Sequence, residues 1–232
     1  MKVKLLRYTA DAERLCGTAA LTTIKSGTPS EIFDKIDPDT AKRKIRLVTG
    51  YGHGSVIEHA SFTFSLEGVS RAMTHQLVRH RIASYTQQSQ RYVEYNTLES
   101  YVTPPSIAEK PEAKTRYDET LKKISEAYQS LLKMGIPKED ARFILPNAAK
   151  TNILVTMNAR ELRHFFNVRC CARAQWEMRE VAIEMFKQAK KATPALFENA
   201  GPTCVELGHC SEGKMKPPEC GIMEIKRRFQ NP

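Results

Sequence analysis

From Arg79 the chain reads Arg79-His80-Arg81-Ile82-Ala83-Ser84-Tyr85-Thr86-Gln87-Gln88-Ser89-Gln90-Arg91, with three arginines and no acid. The acid-free stretch extends from Gly68 to Val93 and also holds Arg71 and His75. A guanidinium grips phosphate through two parallel hydrogen bonds, and three of them can surround more than one phosphoryl group. Ser84, Gln87, Gln88 and Ser89 add neutral donors and acceptors of the kind that reads a sugar or a base. The plainer alternative is a basic helix end whose arginines pair with acids elsewhere in the chain. An ordinary surface helix, however, places acids four residues from its bases, and none is present here.

A second concentration runs Asn158-Ala159-Arg160-Glu161-Leu162-Arg163-His164-Phe165-Phe166-Asn167-Val168-Arg169. On a helix Arg160, His164 and Asn167 share an arc, and Arg169 and Arg173, four apart, share a face. Either cluster alone could be a solvated face. Two of them, both rich in Arg with His and side-chain amides, point to a site for a large phosphorylated ligand.

The elements that must position these residues follow from periodicity. Ser61 to Glu67 alternates polar and apolar, which puts Phe62, Phe64 and Leu66 on one face of a strand closed by Gly68. Val69, Met73, Leu77 and His80 recur at helical spacing, so Arg79 to Arg81 are expected at the C-terminal end of a helix on that sheet. Ser84 to Gln90 has no clear period and reads as a loop. Thr103-Pro104-Pro105 introduces a long helix, about Ile107 to Met134, stopped by Gly135; Pro137 then starts a short helix carrying Arg142, broken at Pro146-Asn147. Thr151 to Met157 predicts a second strand, with helices after it near Leu162 to Val168 and Trp176 to Lys191.

Upstream, a capping signal at Asp37 opens a helix through Val48 that ends at Gly50-Tyr51-Gly52-His53-Gly54-Ser55. Ser55 stands where a dinucleotide fingerprint needs its third glycine, and a helix precedes it rather than a strand, which excludes a Rossmann site. The pattern predicts an α+β fold: one domain over 1–200 with a central, largely antiparallel sheet packed by helices, one of them long, then a Cys/Pro-rich basic tail over 201–232.

Composition narrows the partners. The chain has 232 residues and a formal net charge of +10, which favours an anionic partner. No apolar run approaches the roughly 20 residues of a membrane span, and the first residues lack a secretory h-region, so no membrane and a cytoplasmic location are expected. The six cysteines then read as free thiols. Cys204, His209, Cys210 and Cys220 match no compact zinc spacing, so no metal is expected.

Arg79-His80-Arg81, seven residues, Ser89, and then Gln90-Arg91-Tyr92 is a fixed three-part spacing. Gly52-His53, Glu58-His59, Asn158-Ala159-Arg160 and Ala174-Gln175-Trp176-Glu177 accompany it. In these residues, over about Gly50 to Trp176, the sequence resembles the flavin-dependent thymidylate synthases. The resemblance implies conversion of dUMP to dTMP, with methylenetetrahydrofolate as carbon donor and NADPH reducing a bound FAD. It assigns FAD to Ser55, Arg79, His80, Arg81, Gln87, Asn158, Ala159, Arg160 and His164. It assigns dUMP to Gln76, Arg79, Gln87, Gln88, Ser89, Gln90, Arg91, Arg142 and Arg169, with Arg169 as the catalytic group that favours ionisation of the uracil ring. Gln87 and His164 depart from the commonest pattern, in which Glu and Asn stand at these places. A homotetramer with sites formed between subunits is also implied.

The competing class is a nucleic-acid binder whose arginines track phosphates while Tyr85, Tyr92 and Tyr95 stack on bases. Backbone tracking tolerates almost any spacing, whereas this motif fixes one, so no nucleic acid is expected.

Overall fold

The computed structural model describes residues 1–93, 98–218 and 220–230; Tyr95, considered above for stacking, lies outside them. Strands β1 (Lys2–Tyr8), β2 (Ser61–Ser70), β3 (Ala83–Gln87) and β4 (Lys150–Asn158) form an open antiparallel sheet in the order β1-β2-β4-β3. The helices are α1 (Ala12–Thr22), α2 (Pro29–Lys35), α3 (Pro38–Gly50), α4 (Arg71–Leu77), α5 (Pro105–Ala108), α6 (Pro111–Lys133), α7 (Lys138–Ala141), α8 (Ala159–Arg169), α9 (Trp176–Ala192), α10 (Thr203–Leu207) and α11 (Ile222–Gln230). The α+β expectation, with its antiparallel sheet and long helix, holds.

The chain divides into two compact units, each built from separate segments. The first comprises Met1–Lys2, Leu66–Arg79 and Thr86–Leu154. Its core gathers Tyr101, Leu121, Tyr128, Ala141 and Ala149, with Tyr117, Leu131 and Leu145 packed against them. The buried hydroxyl of Tyr101 meets Ser125 Oγ at 3.0 Å, so the ring is buried without leaving its polar end unpaired. Ser70 Oγ accepts from Met73 N–H and caps α4, whose Met73, Thr74 and Leu77 are buried.

The second unit comprises Val3–Ser65, His80–Tyr85 and Val155–Pro232. An aromatic cluster fills it: Phe62 meets Phe197 edge-on at 5.4 Å, and Phe166 meets Phe186 at 5.4 Å and Phe197 at 5.7 Å. Such edge-to-face pairs add to the burial of the rings themselves. Gly17 lets α1 and α3 approach closely, since a Cβ there would lie 2.6 Å from the Cα of Ala41. Helices α10 and α11, within the stretch read from sequence as a tail, belong to this unit. Phe229 is 4 % exposed and packs against Phe186, the ring centroids 4.9 Å apart and the planes tilted by 55°.

Several expected boundaries move. Strand β2 continues through Gly68, which takes φ 66° inside it instead of ending it. Helix α4 stops at Leu77, so Arg79 to Arg81 lie beyond the helix and not on its last turn. The supposed loop after Ser84 begins with β3, in which half-buried Ala83, Tyr85 and Gln87 alternate with exposed Ser84 and Thr86. The long helix is interrupted before Pro111 and becomes α5 and α6, because proline offers no N–H to continue the ladder. Helix α8 ends at Arg169, so Arg173 shares no face with it; Arg173 pairs with Glu212 instead.

Candidate active site

Between α4 and β3 the chain is not helical, and consecutive side chains of Arg79-His80-Arg81 are exposed, buried and exposed. His80 is 7 % exposed and both ring nitrogens are engaged. Nδ1 lies 3.3 Å from Glu161 Oε1, and Nε2 receives Arg169 Nε–H at 3.0 Å. The Phe165 ring meets the imidazole edge-on at 5.0 Å, and Tyr85 donates its hydroxyl to the His80 carbonyl at 2.8 Å. The partners come from α8 because Glu161, Phe165 and Arg169 are spaced by four and share one helix face. Asn158 fixes the start of that helix, its Oδ1 accepting from Glu161 N–H at 2.9 Å.

Burial holds the His80 ring down at about 4, with the Arg169 guanidinium and His164 acting in the same direction, so the ring is neutral at neutral pH. Glu161 could favour a charged ring, but a protonated Nε2 would face Arg169 with a second donor. Burial pushes Glu161 up, opposed by His164. It also lowers Arg169 from the ordinary arginine value, though a guanidinium keeps its charge at working pH.

The remaining residues expected at the cofactor are reached differently. Ser55 is exposed in a short 3-10 turn, Gly54–Ile57. Beside it a Cβ on Gly54 would lie 3.1 Å from Arg160 Nε, so glycine leaves Arg160 room to pair with Glu58 at 2.5 Å. His164 is exposed, its ring 5.7 Å from that of His80. Ala159 is fully buried and donates its N–H to the Ala60 carbonyl at 2.7 Å. The side chains of Arg79 and Arg81 have no acidic partner among the described residues. The paired-arginine alternative therefore fails for these two and holds for Arg91 and Arg160.

The first unit gathers most of the residues expected at the nucleotide. Gln87 donates to Thr74 Oγ1 at 3.1 Å and Thr151 Oγ1 at 3.4 Å, and Gln88 accepts from Asn152 at 3.0 Å. Gln88 N–H also bonds to Asn152 O at 2.9 Å, beyond the end of β3. Gln76 donates to the Ala72 carbonyl within α4 at 3.4 Å. Ser89 Oγ accepts from Arg91 N–H at 3.2 Å, and its neighbours Gln88 and Gln90 offer no base to activate it. Arg91 pairs with Glu139 at 2.8 Å, and Arg142 Nε–H donates to the Glu139 carbonyl at 3.1 Å, so one acid at the start of α7 gathers two expected phosphate ligands.

Two functional candidates escaped the sequence reading. Glu139 is an acid among many around α7, with no local mark. Glu161 did leave a signal: it is the one acid on the helix face that carries Phe165 and Arg169. A cavity of about 560 Å³ bounded by Tyr8, Asp11, Glu13, Arg14 and Lys42 includes none of the residues above. Cys204, Cys210 and Cys220, read from sequence as free thiols, line one small cavity together with Cys171. No group of three or more metal-ligating side chains is arranged to hold an ion among the described residues.

Comparison with known proteins gives the family. A family model described as thymidylate synthase complementing protein matches residues 4–195. A flavin-dependent thymidylate synthase of Geobacter sulfurreducens is 46% identical over 233 residues, 99% of this chain and 98% of that protein. One from Pyrococcus abyssi is 46% identical over 227 residues, 95% of this chain and 93% of that protein. The likeness therefore extends well beyond Gly50 to Trp176 and into the cysteine-bearing tail. A crystal structure of a flavin-dependent thymidylate synthase from Helicobacter pylori, complexed with FAD and dUMP, superposes with a TM-score of 0.70 at 25% identity, covering 87% of this chain and all of that one.

Proposed function

The chain belongs to the thymidylate synthase complementing protein family, and on that premise we infer that it is a flavin-dependent thymidylate synthase that converts dUMP to dTMP on FAD. The observation that carries the reading is the exposure of Arg79 and Arg81 on either side of an anchored His80. Two guanidinium groups without acidic partners fit the diphosphate of FAD, since each can give charge-assisted hydrogen bonds without first breaking an ion pair. Ser55, Asn158, Arg160 and His164 would add contacts to the cofactor. His80 has its ring nitrogens committed, so it serves from beneath through Arg169. Ala159, buried with its N–H occupied, serves the same way by seating the first turn of α8.

For the nucleotide, Gln76, Gln87, Gln88, Ser89, Gln90, Arg91 and Arg142 would hold dUMP. Arg91 exchanges the Glu139 carboxylate for the phosphate, and Ser89 acts as a hydrogen-bonding ligand rather than a nucleophile. Arg169 would set a permanent positive charge against the uracil carbonyls, stabilising negative charge that develops when the ring is activated. When bound, FAD reduced by NADPH supplies the hydride that completes the methyl group, whose carbon comes from methylenetetrahydrofolate. A homotetramer is the working assembly, and the cytoplasm its location.

The test is an absorbance spectrum of the purified protein near about 450 nm, then anaerobic NADPH and dUMP, then assay of dTMP with methylenetetrahydrofolate. A yellow protein that bleaches and forms dTMP is expected. A protein that takes up no FAD would remove the reading.

A further inference from the structure

The Arg169–His80–Glu161 contacts impose a direction that the assignment of Arg169 alone does not. Arginine carries only donors, so the Nε2 that receives Arg169 Nε–H at 3.0 Å must be an acceptor. A neutral imidazole then carries its proton on Nδ1. That proton needs an acceptor of its own, and Glu161 Oε1 lies 3.3 Å away. Water is a poor substitute, because His80 and Glu161 are each 7 % exposed. Phe165 packs against the ring in a T-shaped contact that opposes its rotation, and the Tyr85 hydroxyl on the His80 carbonyl holds the backbone from which it projects. The Glu161 backbone is fixed in turn by the Asn158 cap.

We propose that Glu161 is a positioning residue: it locks His80 in the Nδ1–H tautomer, so that Nε2 fixes the direction in which Arg169 presents its guanidinium to the pyrimidine. This rests on the reading of the chain as a thymidylate synthase with Arg169 at the uracil. The three groups work as an acceptor, a two-sided relay and a donor, and removing the acceptor inverts the relay. With an amide at position 161, an N–H facing Nδ1 favours the Nε2–H tautomer, which meets Arg169 donor to donor. An orienting carboxylate on a catalytic histidine works by the same tautomer logic. Here the group being oriented is a guanidinium, and the histidine transfers no proton.

Three measurements test the proposal. In wild-type protein labelled with nitrogen-15 at histidine, His80 must read as the Nδ1–H tautomer; the Nε2–H pattern overturns the lock without reference to activity. Glu161→Gln is expected to lower kcat at least about tenfold while bound FAD per chain is unchanged. In an Arg169→Lys background, where the side chain has no Nε–H to give to His80, the same substitution is expected to cost less than about twofold. A wild-type kcat in Glu161→Gln, or an equal loss in both backgrounds, overturns the proposal, because a merely structural acid would act regardless of the group at 169. Should Glu161→Gln fail to fold, the wild-type tautomer decides. A wild-type protein that binds FAD and dUMP yet forms no dTMP sinks the functional reading instead, and the nitrogen-15 pattern still reports on the lock.

Discussion

Acid should unfold this protein partly through one ring. His80 titrates near 6.5 in an unfolded chain and is held at about 4 by burial, beside Arg169 and His164, in the folded one. Between those values the unfolded chain binds the extra proton. The contribution is therefore fully present above 6.5, declines as pH falls through the window, and is gone below about 4. The gap between 6.5 and about 4, at about 1.4 kcal/mol per pH unit, amounts to about 3 kcal/mol. Solvent screening removes little of it, since the residue is 7 % exposed. Glu161, raised by burial, acts in the opposite sense, gaining its proton in the folded protein first as pH falls. A control that keeps Glu161 is therefore needed. Urea unfolding of wild type and His80→Gln at one fixed protein concentration, from pH 7.5 to 4, separates the two. The wild type should lose about 3 kcal/mol more than the variant across this window, on top of losses common to both. Parallel curves would refute the argument: His80 would then titrate alike folded and unfolded, and the Glu161–His80–Arg169 contact would not be holding a neutral ring.

Arg81→Ala removes an exposed guanidinium with no acidic partner among the described residues, so stability should hold while FAD affinity falls about ten- to a hundredfold, the value of one charge-assisted bond; equilibrium dialysis against FAD measures it. Ser89→Ala should raise KM for dUMP and leave kcat within about threefold, as expected of a ligand; loss of all turnover would make the hydroxyl a nucleophile after all. Gly17→Ala would ordinarily favour a helix by about 1 kcal/mol, yet here the methyl would overlap the Ala41 backbone. The denaturation midpoint should therefore drop by the equivalent of about 1–3 kcal/mol, and a rise would show that α1 and α3 can separate freely.

Sequence revealed most where burial and period coincide. Phe62, Phe64 and Leu66 are each 0 % exposed on one face of β2, as their alternation requires. β3 left no such trace, because the residues it turns inward include Tyr85 and Gln87, whose polar ends bond to His80 O and to Thr74, and a strand half-buried through hydrogen bonds has no apolar period. The helix read through His80 went wrong for a related reason. His80 is buried at the spacing that Val69, Met73 and Leu77 set, but its burial comes from contacts with Glu161 and Arg169, and the chain had already left the helix. Glu161 left only its place on the face of Phe165 and Arg169; that it is buried could not be read locally, because its partner His80 lies 81 positions away.

The same contacts give a physical reason for the order Arg79-His80-Arg81. A protein that only tracked phosphates would need the two arginines and could place almost anything between them. Here the intervening side chain turns into the fold, where a ring with one donor and one acceptor is required to join an acid to a guanidinium. Lysine or arginine in its place would offer donors alone to Arg169, and asparagine would have a shorter reach. Histidine in one tautomer meets the demand and, buried beside the Arg169 guanidinium, stays neutral while doing so. The alternation of exposed and buried side chains then leaves Arg79 and Arg81 facing solvent, without an acidic partner among the described residues. On the proposed function, one tripeptide separates two tasks: its outer members are left for an anion, and its middle member, bonded to Arg169 89 positions further along the chain, sets the aim of that guanidinium.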